Sequence, residues 1–110
     1  MKQCSTDTQG AWAVVRLGGE VDLSWSQQVR RAVLDALGAS QAVAVDLAKV
    51  SYIDSSGIAA LVEGFQSARG KGQRFILVEV SDAVLAVLRL ARLDKVFSIH
   101  RSLEEAGKDA

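Results

Sequence analysis

Apolar and polar positions along this chain fall into blocks whose period switches between that of a strand and that of a helix. Residues 11–17 are rich in β-formers and end at Gly18-Gly19, which predicts a strand. Residues 20–23 read as a connector. From 25 to 37, Val29, Ala32, Val33, Ala36 and Leu37 recur at helical spacing, with Arg30, Arg31 and Asp35 opposite. Asp22 or Ser24 can cap this helix, and Gly38 is placed to stop it. Residues 42–47 form a near-continuous apolar run, the mark of an interior strand covered on both faces. A short link, 48–50, leads to a polar junction. A second helix is predicted over 56–69, its stripe made by Ile58, Leu61, Val62, Phe65 and Ala68. Gly64 inside that stripe points to close packing. Residues 74–80 predict a further buried strand, then a third helix over 83–92 capped by Ser81 or Asp82, with Leu85 and Leu90 off its apolar stripe. A short strand at 96–100 and a helix starting near Ser102, with Ser102 and Glu105 at capping-box spacing, close the chain. The polar segment 1–9, punctuated by Gly10, reads as an edge strand or a loose end.

This strand–helix alternation predicts helices crossing over a largely parallel sheet. Sheets of that kind place their sites on loops leaving the C-terminal ends of strands. The junction Ser51-Tyr52-Ile53-Asp54-Ser55-Ser56-Gly57-Ile58 is one such loop.

Composition narrows the function classes. A chain of 110 residues with 49 % hydrophobic positions supports one domain, 1–110, with a core built from aliphatic side chains, since aromatics are only 5 %. Thirteen basic and thirteen acidic residues balance, which argues against bulk electrostatic capture of nucleic acid or of an anionic membrane. The basic run Arg69 to Arg74 can form a local patch, but its first reading is a solvated helix end and turn. Cys4 is the one cysteine, so no internal disulfide forms. No signal-like apolar run and no stretch long enough to span a bilayer is present, and a cytoplasmic location is expected.

The chemistry concentrates at the junction. A helix start offers unpaired backbone N–H groups and a partial positive charge. Ser55 or Ser56 can satisfy one N–H as a cap. The same place accepts a phosphate, and a phosphoryl group on Ser55 would add close to two negative charges beside Asp54. Gly57 lacks a side chain next to the hydroxyl, which leaves room for a partner's active site.

Val45-Asp46-Leu47 followed by the segment from Val50 to Ile58 resembles the signature of STAS domains, and within that superfamily the bacterial anti-sigma factor antagonists. Leu17-Gly18-Gly19-Glu20-Val21-Asp22 is similar to the family's strand end and Gly-Glu-aliphatic-Asp turn. Residues 88–97 are similar to its third helix and closing strand. The resemblance implies an α/β fold: a single STAS-like domain, with a mixed, largely parallel four- to five-stranded sheet packed with about four helices. It also implies a function. The unphosphorylated form binds an anti-sigma factor that is an ATP-dependent serine kinase, and so releases a sigma factor. Phosphorylation at Ser55 switches binding off, and a serine phosphatase resets the cycle. Asp22, Asp54, Ser55, Ser56 and Gly57 become the partner-binding candidates, with Ser56 as a cap and secondary acceptor. Any ATP comes with the partner, and no cofactor or metal is expected. A second branch of the superfamily, the small subunit of an ABC-type transporter that maintains outer-membrane lipid asymmetry, would use the same face to bind its ATPase.

An enzyme is the remaining alternative. Ser55, Asp54 and His100 supply the residue types of a hydrolase triad, but the Gly-x-Ser-x-Gly elbow is absent and Asp54 adjoins the serine it would have to serve through a histidine. One cysteine and one histidine offer no metal cluster, and no Walker A or dinucleotide fingerprint occurs. Binding, not catalysis, is the expected activity.

Overall fold

The computed structural model describes residues 2–108, with side chains as far as residue 106. Among these the elements run β1 (Gln3–Gln9), β2 (Trp12–Val21), α1 (Ser26–Ala39), β3 (Ala42–Ile53), α2 (Ser55–Gly70), β4 (Arg74–Val78), α3 (Asp82–Leu90), β5 (Ser98–His100) and α4 (Leu103–Lys108). The strands form one sheet in the order β1-β2-β3-β4-β5. β1 pairs antiparallel with β2, and the other three pairings are parallel. The N-terminal segment is therefore an edge strand, joined to β2 through Gly10 at φ +60°. Position 1 lies outside the described residues.

Both faces of the sheet are covered, which explains why β3 and β4 read as apolar runs rather than as alternation. Val15, Val43, Val45, Leu47 and Leu77 face α1, α2 and α3, where Val33, Leu61, Val84 and Leu88 are fully buried. Trp12, Val14, Ala44, Ile76 and Val78 face the other way, beneath Ala106 and Leu103 of α4. Arg74 lies 4.7 Å above the Trp12 ring on that side. α1 and α2 cross closely at Gly64, as its sequence context predicts. A Cβ there would sit 2.5 Å from Val33 Cγ1 and 3.1 Å from Phe75 Cε1.

Several boundaries differ from the sequence reading. α1 continues through Gly38 to Ala39, because that glycine keeps helical geometry and Gln73 Nε2 donates to the carbonyls of Leu37 and Ser40 at 2.6 and 2.9 Å. The expected link 48–50 is part of β3. Register shifts opposite Arg16–Gly18 and Gly19–Glu20 give β3 extra residues, and Lys49, Ser51 and Tyr52 stay exposed. β4 stops at Val78, since Glu79 takes a left-handed φ of +51°. β5 begins at Ser98, because Val96 and Phe97 both turn back to donate to the Leu93 carbonyl. Ser81 is the cap of α3, its hydroxyl accepting from the Val84 N–H at 3.4 Å and donating to the Val50 carbonyl at 2.7 Å. Ser102 accepts the Glu105 N–H at 3.1 Å and so supplies the hydroxyl half of the predicted capping box. Leu85 is half-buried, whereas Leu90 is 88 % exposed.

Candidate functional site

Parallel strands β2 and β3 end side by side, with Val21 opposite Ile53. The Asp54 N–H donates to the Val21 carbonyl at 3.2 Å, which ties the turn after β3 to the end of β2. α2 starts immediately afterwards. Its cap is Asp54, not Ser55 or Ser56 as the sequence suggested. Asp54 has extended backbone, and its Oδ1 accepts the N–H groups of Ser56 at 2.9 Å and Gly57 at 3.2 Å. A carboxylate here satisfies two orphan donors and also complements the helix dipole, which a hydroxyl does less well.

The capping arrangement separates the two serines. The Ser56 hydroxyl donates to the same Asp54 oxygen and is half-buried. Ser55 is exposed, and its hydroxyl makes no hydrogen bond among the described residues. The Ser56 hydroxyl holds the Asp54 carboxyl below the usual carboxylate range, helped by the Gly57 and Ser56 N–H groups, while partial desolvation and the charge on Asp22 push the other way. Val21 pairs with Ile53 at the strand ends, so Asp22 and Asp54, the residues that follow them, leave the sheet side by side.

Asp22 sits in the turn between β2 and α1. Ser24 Oγ donates to its Oδ1, and Lys2 Nζ lies 3.3 Å from the same oxygen. These contacts, the Ser24 hydroxyl first, depress its pKa. Neither Asp22 nor Ser24 caps α1 through its side chain, as had been expected. Trp25 occupies the N-cap position with no side-chain cap bond, and the Asp22 carbonyl accepts the Trp25 and Ser26 N–H groups at 3.0 and 2.9 Å. The two side chains are committed to each other and to Lys2, so they are not turned toward the helix.

Gly57 serves a purpose different from the one read in the sequence. It is buried, and a Cβ there would lie 2.7 Å from Ile53 Cγ1, 2.8 Å from Val21 Cγ1 and 2.9 Å from the Val21 carbonyl oxygen. The missing side chain faces inward and lets α2 start against the strand ends, rather than clearing space for a partner.

Sequence reasoning missed two residues of this surface. Leu23, next to Asp22, is 75 % exposed. Its signal was an apolar residue in a polar connector. Lys2 carried no signal, because only the β1–β2 hairpin brings it back to Asp22. His100 lies on edge strand β5, two strands across from β3, where its Nε2 hydrogen-bonds Ser98 Oγ at 2.9 Å.

The site is an open face, not a cleft. A groove of about 860 Å³ runs between the β1–β2 hairpin and α1, lined by residues such as Thr6, Thr8, Ala32 and Ala36, and includes none of Asp22, Asp54 or Ser55. An exposed hydroxyl, two carboxylates and the protruding Leu23 side chain suit contact with another macromolecule.

The STAS domain family model matches residues 3–106. An anti-sigma-B factor antagonist of Listeria monocytogenes is 27 % identical over 85 residues, which is 76 % of this chain and 74 % of that protein. An anti-sigma factor antagonist from Mycobacterium paratuberculosis has the same fold at TM-score 0.89 and 23 % identity, covering 99 % of this chain and 93 % of that one. The anti-sigma factor antagonist SpoIIAA is similar in its unphosphorylated form, at TM-score 0.78, 22 % identity and coverage of 97 % and 95 %. Its phosphorylated form, from Bacillus, matches at TM-score 0.75, 23 % identity and coverage of 97 % and 98 %. With a family match that spans both the sheet and the Asp54 turn, the chain belongs to the STAS domain family.

Proposed function

We propose that this protein is an anti-sigma factor antagonist that works by partner switching, with Ser55 as the switch. The observation that carries this reading is the division of labour at the turn: Asp54 caps α2, Ser56 is bound to Asp54, and Ser55 alone presents an unbonded, exposed hydroxyl. The names of the relatives support the class, and a fold neighbour solved both with and without phosphate supports a phosphorylation switch.

The partner is an anti-sigma factor with serine kinase activity. It brings ATP and transfers the γ-phosphoryl group to Ser55 Oγ, which loses its proton as ADP departs. The product is tolerated by the fold, because the helix start favours an anion and the cap does not depend on Ser55. It is not tolerated by the interface. Close to two added negative charges beside Asp54 and Asp22 turn a mildly acidic contact face into a strongly acidic one. A serine phosphatase restores the binding form.

The test uses the purified protein with the anti-sigma kinase and ATP, followed by mass spectrometry and calorimetry. Ser55→Ala should bind like wild type and take no phosphate, and Ser56→Ala should remain a substrate. Ser55→Asp should bind at least about tenfold more weakly, a difference of roughly 1.4 kcal/mol. Unchanged phosphorylation of Ser55→Ala, or equal affinity of Ser55→Asp, removes Ser55 from the switch. Capture of a transporter ATPase in place of the kinase moves the protein to the lipid-transport branch.

A further inference from the structure

The balanced net charge conceals a polar distribution. In a parallel sheet the crossover helices run back against the strands, so α2 and α3 both end at the edge opposite Ser55. Phe97, in the connection from α3 to β5, packs its ring 5.6 Å from Phe65 of α2 and 6.5 Å from Phe75 of β4, which seats that connection against α2 and the start of β4. Five exposed cations lie on these two stretches: Arg69 and Lys71 at the end of α2, and Arg89, Arg92 and Lys95 around the end of α3. None is in an ion pair among the described residues, and Asp94 is the one acid in these two segments.

Two further observations mark the same place. Leu90, between Arg89 and Arg92, is 88 % exposed, and Val96, next to Lys95, is 47 % exposed. Arg92 also holds a left-handed φ of +60°, a position that favours glycine. There the chain turns back, with the Leu93 N–H donating to the Leu88 carbonyl at 2.8 Å.

We propose that this end of the molecule docks on an anionic membrane surface. Unpaired Arg and Lys side chains meet the headgroups, and the aliphatic tips of Leu90 and Val96 enter the headgroup–acyl boundary. Nucleic acid fits less well. It uses cations with aromatic stacking or base-edge donors, and an aliphatic tip has no partner on a phosphate backbone. Docking at this end leaves Ser55 facing away from the lipid and open to protein partners. The proposal does not rest on the switch.

The test is sedimentation of the full chain with vesicles of phosphatidylglycerol and phosphatidylcholine in equal parts, against phosphatidylcholine alone. The anionic vesicles should carry the protein down, the neutral ones should not, and added salt should weaken retention. Each cation near such a surface contributes roughly a fivefold factor, so reversal of Arg89→Glu and Arg92→Glu together should cut partition at least about twentyfold. Leu90→Asp should cut it as well, with an unchanged melting temperature. Arg92→Gly separates binding from folding: it should melt at or above wild type and partition about fivefold less. No retention on anionic vesicles at low salt, equal retention on neutral ones, or indifference to the Arg89/Arg92 reversal overturns the proposal. Binding of RNA or polyglutamate through the same arginines without vesicle retention reassigns the patch to nucleic acid or to an acidic protein.

Discussion

Gly57→Ala is the sharpest test of how the Asp54 turn is built. Two effects oppose each other. Replacing a helical glycine by alanine ordinarily gains up to about 1 kcal/mol through helix propensity and a less flexible unfolded chain. Against this, the new Cβ meets three atoms within 3.0 Å: Ile53 Cγ1 at 2.7 Å, Val21 Cγ1 at 2.8 Å and the Val21 carbonyl oxygen at 2.9 Å. The two methylene or methyl carbons can rotate, but the carbonyl cannot. It is held in the β2–β3 register and accepts the Asp54 N–H. Overpacking of this kind costs typically about 1–3 kcal/mol, and a backbone obstacle puts it at the upper end. The net loss is then about 1–2 kcal/mol, or a fall of roughly 4–8 °C in melting temperature for a domain of this size. Gly38→Ala is the matched control, since a Cβ there meets nothing within 4 Å. It should raise the melting temperature by a few degrees. Thermal unfolding by circular dichroism and urea titration reads both variants. If Gly57→Ala is as stable as Gly38→Ala, α2 is not seated against the strand ends as described, and the packing argument fails.

Other outcomes follow from the same geometry. Asp54 has its carboxyl pKa depressed in the folded state, so its contribution is present above the unfolded value of about 3.9 and lost as pH falls through the lower folded value. Asp54→Asn should therefore melt below wild type at neutral pH, and the gap should narrow once the pH falls below about 3.9; a gap that does not change with pH refutes the charged-cap account. Gln73→Ala should cost about 1–3 kcal/mol in urea unfolding, because it removes the Nε2 donor from the Leu37 and Ser40 carbonyls at the end of α1. Asp22→Ala should weaken the anti-sigma complex more than it lowers the melting temperature, as calorimetry beside a thermal melt will show; the reverse order makes Asp22 a structural residue.

The order of strands and helices was legible because each block of this chain carries its own hydrophobic period. The turn at Asp54 was legible because acid, hydroxyls and glycine fall between an apolar strand and an apolar helix. The boundaries that moved did so where tertiary contacts overrode local rules: bulges carried β3 through Lys49 to Ile53, and a distant Gln73 let α1 run past Gly38.

The sequence by itself determined the α/β alternation, the two-sided burial of the central strands and the place of the switch candidate. These depend on period and residue type, which are local. Only the tertiary structure decided which group caps α2, which of two adjacent serines keeps a free hydroxyl, and that Gly57 faces the core. It alone brought Lys2 to Asp22 and Asp22 within electrostatic reach of Asp54. Those outcomes depend on the direction of side chains and on pairings between segments far apart in the chain, and a one-dimensional pattern of polarity carries neither.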